Sequence, residues 1–458
     1  MKEIIPLILK NLVQNLGKPL YLTGGMVRNK IMGASTGEDF DIAAPVRLGE
    51  LADAVRLTDG LKLKCVYPRT NTARLTDGEH IFEFSSFRKE TYAEGGAHTP
   101  RSVSYTSDIR EDALRRDFKC NAVYYDIAND KIADPLGGAE DIKNGIISSV
   151  AEGGEVFKND GLRLLRLCRL SGELNLVPDA ETLAGAKKYA GNIADISEER
   201  ITAELKKMLV CDKKYTLSSK TAHYDSFKLA KKIGILDYIF PELMSGEGIA
   251  QRPDFHKYDV LEHSFRALLY AEPEVRLAAL LHDVGKPVCF AEYGNFHRHD
   301  EAGAQLCEDI LGRLKFPRSE IKECVRLVAL HMCDLRGEDR PNKIRAVIVK
   351  NADLIDKLMA LKNADYSACK DDLRECPTVT KWKYIYAEMN SEGSPFTVKE
   401  LNIKAKKLIS EGFFGREIGD ALDYLLTECI YNPSLNTEEK LLAAALRNRD
   451  LRRKQGLK

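Results

Sequence analysis

Asp39 and Asp41, in the string EDFDIA, stand at i and i+2 on a run that reads as a β-strand, so their side chains point to one face. Two carboxylates side by side repel, and a divalent cation between them removes the conflict. All-oxygen ligation suits Mg2+, which in a two-metal arrangement activates an attacking hydroxyl and neutralises a leaving pyrophosphate. A solvated strand edge is the ordinary alternative for such a pair taken alone. Glu83, in HIFEFSSFR, offers a third carboxylate on another alternating run. Upstream, YLTGGMVRNKIMG passes from a β-like segment through Gly24 and Gly25 into a helix, where backbone N–H groups can approach a phosphate with no Cβ in the way; Arg28 lies one turn in.

Two arginine-rich strings follow. In EDALRRDFKCNAV, Arg115 and Arg116 supply guanidinium forks for triphosphate oxygens, and Asp117 an acid for a ribose hydroxyl or for a structural arginine. In NDGLRLLRLCRL, Asp160, Arg163, Arg166 and, less closely, Arg169 share a helical face opposite a leucine face. An aspartate acceptor beside an arginine donor can imitate the hydrogen-bonding edge of a base; an amphipathic helix with i, i+3 ion pairs has the same pattern.

A different donor set lies downstream. DVLEHS carries His263, LAALLHDVGKP carries the adjacent His282 and Asp283, and LKNADYSA carries Asp365, each on a helical pattern. Imidazole with carboxylate suits a transition metal or Mg2+ with water positions open. His256 and His297 read as ordinary core histidines.

The elements that must position these residues change character along the chain. β-like runs at residues 19–23, 40–43, 61–66, 80–85 and 122–126 alternate with turns, and from about residue 156 the apolar period becomes helical. Ser197 is placed to cap a helix opened by Glu198 and Glu199. Gly-rich and polar junctions suggest segments 1–150, 151–243, 244–375 and 376–458. The 458 residues carry 69 basic and 69 acidic side chains, so a uniformly basic nucleic-acid binder is excluded and any polyanion contact must be a local patch. Eleven scattered cysteines without a C-x-x-C pair argue for reduced thiols, hence a cytoplasmic protein, and no run of about 18 apolar residues suggests a membrane span.

Taken in order, GGMVR, DFD, RRDF-x-x-NA, DPLGG-x-x-D, ND-x-LR-LLR-x-x-R and ER-x-x-x-EL-x-K resemble the class II tRNA nucleotidyltransferase and poly(A) polymerase family, over roughly residues 18–210. The resemblance implies an α+β fold: a polymerase-β-like nucleotidyltransferase head (a mixed sheet with helices), then an all-helical neck, HD domain and tail. It puts the Mg2+ aspartates at Asp39 and Asp41 and nucleotide contacts at Gly25, Arg28, Arg115 or Arg116, Asp160, Arg163, Arg166 and Arg169. The implied activity is template-independent addition of CCA to the tRNA 3′ end from CTP and ATP. CC-only addition and poly(A) synthesis are its near relatives, and the loop at 88–106 argues against an A-only adder. Departures are Asn29 for the usual aspartate, Asn159 for the usual acid, Gly161 for the usual proline, and His98 and Thr99 where an arginine is more usual.

Residues 254–370 resemble the HD phosphohydrolase superfamily. Its metal ligands would fall on His263, His282, Asp283 and Asp365, with His299 and His331 where that superfamily often has extra histidines. This implies a divalent ion (Mg, Mn, Ni or Fe) and a possible phosphatase or 2′,3′-cyclic phosphodiesterase activity. The segment from Val398 resembles the tail of such nucleotidyltransferases, with Lys404, Lys406, Lys407 and Arg416 as a basic patch for tRNA.

Overall fold

The computed structural model describes residues 5–92 and 100–454. His98 and Thr99 lie outside the described residues. Two compact units divide the chain: residues 1–245 with 310–316, and residues 246–309 with 317–458.

The first unit is built on a seven-stranded mixed sheet in the order β3-β4-β5-β2-β1-β8-β9. Its strands are β1 (Tyr21–Thr23), β2 (Phe40–Ala44), β3 (Lys62–Tyr67), β4 (Thr72–Thr76), β5 (Ile81–Ser86), β8 (Tyr124–Asp126) and β9 (Lys131–Ala133). Strand alternation decides which face is which. In β2, Phe40 and Ile42 point into the core while Asp41 points out, and parallel pairing with β5 sets Phe40 beside Phe82, Asp41 beside Glu83 and Ile42 beside Phe84. Helices α1 (Leu7–Leu16) and α3 (Leu48–Arg56) cover the apolar face through Leu9, Leu12, Leu51 and Val55. The opposite face of β2 therefore stays open for chemistry.

The five expected β-runs are present as β1, β2, β3, β5 and β8. Short β4, which alternates but turns only Ala73 and Leu75 to the core, and the polar separate hairpin of β6 (Arg88–Tyr92) and β7 (Pro100–Tyr105) carry too little apolar weight to announce themselves in the sequence.

After the sheet come α4 (Ile109–Leu114), α5 (Gly138–Lys143), α6 (Glu155–Asn159), α7 (Leu162–Leu174), α8 (Ala180–Lys188), α9 (Glu198–Leu209) and α10 (Ala222–Ile233). Leu164, Leu165 and Leu167 bury one side of α7, which packs on α9 and α10, leaving its arginines to the other side. Ser197 occupies the N-cap of α9, but its side chain makes no capping bond; Lys315 instead pairs with Glu198 and Glu199 in the first turn. Gly161 answers to packing. A Cβ there would lie 2.2 Å from the Asn192 carbonyl oxygen, so the proline usual in the resembling family has no room.

The second unit is helical throughout its described residues. Helix Val260–Tyr270, capped by Asp259 accepting from the Glu262 N–H at 2.7 Å, packs along helix Ile355–Lys370. A separate apolar cluster of Leu401, Leu408, Phe413, Leu425 and Leu441 gathers helices Arg416–Tyr431 and Glu438–Lys454.

Gly161→Ala should lower unfolding stability by about 1–3 kcal/mol through overpacking against Asn192. Gly49→Ala is the contrast: nothing lies within 4 Å of the new Cβ in α3, so its urea midpoint should stay level or rise slightly.

Candidate active site and metal centre

A cavity of about 1050 Å3 in the first unit lies between the open face of β2 and the arginine side of α7. Gly24, Gly25, Arg28, Asp39, Asp41, Arg115, Arg116, Asp117, Asp160, Arg163, Arg166 and Arg169 all line it. Residues 130 positions apart in the chain thus share one space. The protein is neutral overall, but this cavity is rich in arginine, the local patch that charge balance required.

Gly24 joins β1 to α2 (Gly25–Met32) at φ 70°, and a Cβ there would fall 2.8 Å from Asp41 Oδ2. The glycine is fixed both by its backbone and by the carboxylate across from it. Burial pushes the Asp41 carboxyl above its ordinary range; Arg116 opposes that shift, while Asp39 and Glu83 add to it. Such a frustrated pair of oxygen donors fits a hard divalent cation. Glu83 contributes charge more than reach. Its carboxylate is ion-paired with Arg74 at 2.6 Å, and it is not among the residues lining the cavity.

The arginines are held by acids that the spacing alone did not assign. Asp112, fully buried in α4, accepts from Arg115 Nε at 2.7 Å, Arg116 Nη2 at 3.2 Å and the Tyr124 hydroxyl at 2.7 Å. Arg116 also donates to the Tyr124 oxygen at 2.9 Å. An acid three and four residues before an arginine pair, at the end of a helix, was the available signal for Asp112.

Asp117 is engaged as an arginine partner while still lining the cavity. It accepts from the Phe118 N–H at 2.8 Å, Asn121 Nδ2 at 3.0 Å and Arg166 Nε at 2.9 Å. Burial alone would raise its pKa, but Arg166, Asn121 and Arg163 hold it far below the ordinary carboxylate range.

Arg28 is buried, donating to Asn121 Oδ1 at 2.6 Å and to Asn29 Oδ1 at 3.1 and 2.8 Å. Asn29, standing where the resembling family has aspartate, thus keeps the acceptor and gives up the charge. Asp160 meets Arg200 at 3.4 Å and caps the Leu162 N–H at 3.0 Å, while Arg163 donates to the Arg115 carbonyl at 2.7 Å. Arg169 is buried and bonded to Glu173 and Glu204, both at 2.6 Å. These bonds engage Nε and Nη1 and leave the other guanidinium N–H groups for a nucleotide at the cavity that Arg169 lines.

The second unit brings His263, His282, Asp283 and Asp365 together. His263 Nε2 lies 3.0 Å from Asp365 Oδ1 and 3.3 Å from His282 Nε2, and His282 Nε2 lies 3.2 Å from Asp283 Oδ2. The two histidines and Asp283 are buried, and Lys286 Nζ reaches Asp283 Oδ2 at 2.6 Å and Gln251 Oε1 at 2.7 Å. Burial works against charge on His282, yet Asp283 and Asp365 outweigh it and raise its pKa; burial dominates in His263 and lowers it. Converging imidazoles and carboxylates this close form a donor set suited to a borderline divalent ion. Neither lone histidine is an ordinary core residue: His256 is half-buried edge-on to His263, and His297 is exposed.

Three family models match the chain: Poly A polymerase head domain over residues 20–148, Probable RNA and SrmB-binding site of polymerase A over 175–246, and HD domain over 260–358. An A-adding tRNA nucleotidyltransferase of Deinococcus radiodurans is 30% identical over 369 residues, spanning 76% of this chain and 76% of that protein. A multifunctional CCA protein of Chromobacterium violaceum is 28% identical over 330 residues, or 68% and 74%. Among solved structures, the Bacillus stearothermophilus CCA-adding enzyme in complex with CTP superposes with a TM-score of 0.66 at 21% identity, covering 98% of this chain and 100% of that one. The Thermotoga maritima CCA-adding enzyme complexed with tRNA gives 0.58 at 18%, covering 97% and 96%. These two likenesses carry the fold, a mixed-sheet head followed by helices.

Asp117→Asn should cost about 1–3 kcal/mol, less than a fully buried pair because Arg166 is partly exposed. Asp117 has a depressed folded pKa, so its stabilisation is present above the unfolded value of about 3.9 and is lost as pH falls toward the folded value. Urea midpoints between pH 5 and pH 3 should therefore fall less steeply in the variant than in the parent. At the second donor set, an incoming ion must displace the proton held on His282, so Mn2+ or Ni2+ affinity should increase with pH and binding should release protons. Calorimetry in buffers of different ionisation enthalpy checks this.

Proposed function

Because this chain belongs to the tRNA nucleotidyltransferase and poly(A) polymerase family, we propose that it adds CCA to the 3′ end of tRNA from CTP and ATP without a nucleic-acid template, working in the cytoplasm. The observation that carries the reading is the single cavity in which Asp39 and Asp41 on and beside β2 face Asp160 and Arg163 at the start of α7. Mg2+ held by Asp39 and Asp41 would supply activation of the tRNA 3′ hydroxyl and charge neutralisation on the triphosphate.

The chain's own side chains do the remaining work. Gly24 gives the clearance that lets Asp41 sit against the phosphate-facing turn. Arg115 and Arg116, aimed by Asp112, present positive charge to the triphosphate at no cost of ordering during reaction. Asp160 offers an acceptor and Arg163 a donor to the base edge; fixing Arg163 on the Arg115 carbonyl limits which hydrogen-bond pattern fits. Glu83 sits beside Asp41 as a charge partner, and we retain it as a contributor to metal affinity rather than as a ligand.

For the second unit we propose a metal-dependent phosphohydrolase activity, phosphatase or 2′,3′-cyclic phosphodiesterase, at His263, His282, Asp283 and Asp365. Lys286, fixed between Asp283 and Gln251, adds a positive charge suited to a phosphate oxygen. The basic residues Lys404, Lys406, Lys407 and Arg416 are proposed to meet tRNA.

A-only addition is the second reading, favoured by the name of the 30% identical Deinococcus protein. A tRNA ending before the tail and one ending in CC, each given CTP or ATP alone and together, separates the readings. CCA addition predicts two C residues added to the first with CTP alone and one A added to the second with ATP; an A-only enzyme leaves the first untouched by CTP. Gly24→Ala and Asp41→Asn should each reduce addition by at least about 100-fold, a loss of about 2.7 kcal/mol in the barrier. Asp41→Asn should leave the unfolding midpoint level or higher, since the ionised side chain is disfavoured by burial.

A further inference from the structure

The hairpin of β6 and β7 lies outside the seven-stranded sheet, yet it sends one face into the cavity that holds Asp41 and Asp160. Strand alternation turns Arg88, Glu90 and Tyr92 inward and leaves Lys89 and Thr91 exposed, and all three inward side chains line the cavity. Glu90 is the centre of this ladder, with its side chain only 6% exposed. Its Oε1 accepts from Arg88 Nε at 2.7 Å and lies 3.8 Å from Arg115 Nη1, while Oε2 accepts from the Tyr92 hydroxyl. Arg88 donates in turn to the Thr70 carbonyl, and its backbone N–H reaches Asp112 Oδ1 at 3.4 Å.

A carboxylate lining a cavity for a triphosphate opposes that ligand. Burial also works against charge on Glu90, yet Arg115 and Arg88 outweigh it and lower its pKa, so the group stays ionised. What the acid does for Arg115 is geometric. Asp112 accepts from Arg115 Nε at 2.7 Å, and Glu90 faces Nη1. One acid on one nitrogen lets the guanidinium swing; acids on two nitrogens restrict its plane and leave the Nη2 edge for a phosphate oxygen. The Arg115 backbone is held as well, since its carbonyl accepts from Arg163 Nη2 at 2.7 Å.

We propose that Glu90 is a positioning residue for nucleotide addition and acts through Arg115, holding the guanidinium in the orientation that meets the triphosphate. Arg88 and the Tyr92 hydroxyl hold Glu90 in turn, so a hairpin outside the sheet aims a donor at the end of α4. The proposal rests on the reading of this cavity as a nucleotidyl-transfer site and extends it to the hairpin. Its sign is specific. Removing the acid frees positive charge, so ground-state triphosphate binding stays level or tightens, while the lost orientation costs transition-state stabilisation.

ATP addition to tRNA ending in CC tests this, because that step is common to CCA and A-only addition. Glu90→Gln should lower kcat about 10-fold with KM for ATP level or lower. In an Arg115→Gln background the same change should alter kcat by less than about 2-fold, because the group it acts through is gone. Tyr92→Phe, which removes the hydroxyl donor and keeps the ring, should give a smaller kcat loss of about 3-fold with the same dependence on Arg115. Thermal midpoints and single-turnover amplitudes check the folded and active fraction of each variant. Unchanged kcat, a raised KM, or an equal loss with and without Arg115 overturns the positioning role, and Tyr92→Phe decides the matter where Glu90→Gln fails to fold. A parent that adds no nucleotide overturns the nucleotidyl-transfer reading and the proposal with it.

Discussion

Crowding several arginines around one cavity requires acids to hold them apart, and in the first unit that requirement builds the site. Asp117 on the loop after α4 pairs with Arg166 on α7, so the sheet-bearing head and the helix carrying Asp160 and Arg163 are joined by an ion pair at the cavity wall. Asp112 does the corresponding work for Arg115 and Arg116. Without these two carboxylates the arginines would repel one another, and no fixed donor geometry would face the strand that carries Asp41. With them, a chain of zero formal charge concentrates positive potential where a triphosphate would lie.

The residues proposed to do the chemistry were legible in the sequence because their requirements are local. An i, i+2 pair on a strand, paired glycines before a helix and an i, i+3 acid and arginine each fix a direction, and all of these converge on one cavity. What was illegible depended on partners distant in the chain. The sequence shows Glu173 at i+4 to Arg169 but does not mark Glu204, 35 positions on, as its second partner, nor that Glu83 is engaged by Arg74 across the β4–β5 pairing. That Asp117 has Arg166, 49 positions on, as a partner is likewise unmarked in the sequence. The β6–β7 hairpin has the same explanation, since it is held by pairing more than by an apolar face of its own.

The two donor sets differ in kind. Asp39 and Asp41 are oxygen-only and open to a cavity wide enough for a nucleotide; the histidine and aspartate cluster is buried, nitrogen-rich and tightly spaced. Hard and borderline ions would sort between them on ligand chemistry, so the two sites as proposed would take different metals. Gly161 and Asn29 show how the chain departs from its relatives' motif without losing the arrangement. One admits the Asn192 carbonyl where a proline would clash, and the other keeps an acceptor for Arg28.

Nucleotide discrimination in Asp160→Ala tests the central claim most directly, that one cavity both binds the triphosphate and reads the base. The measurement is kcat/KM for CTP, ATP, GTP and UTP on tRNA ending in CC and on tRNA ending before the tail. The account predicts that the preference for CTP and ATP over UTP and GTP falls by about 10-fold or more, near 1.4 kcal/mol of lost discrimination, while triphosphate affinity changes little. An equal loss for all four nucleotides, with the preference intact, would contradict it.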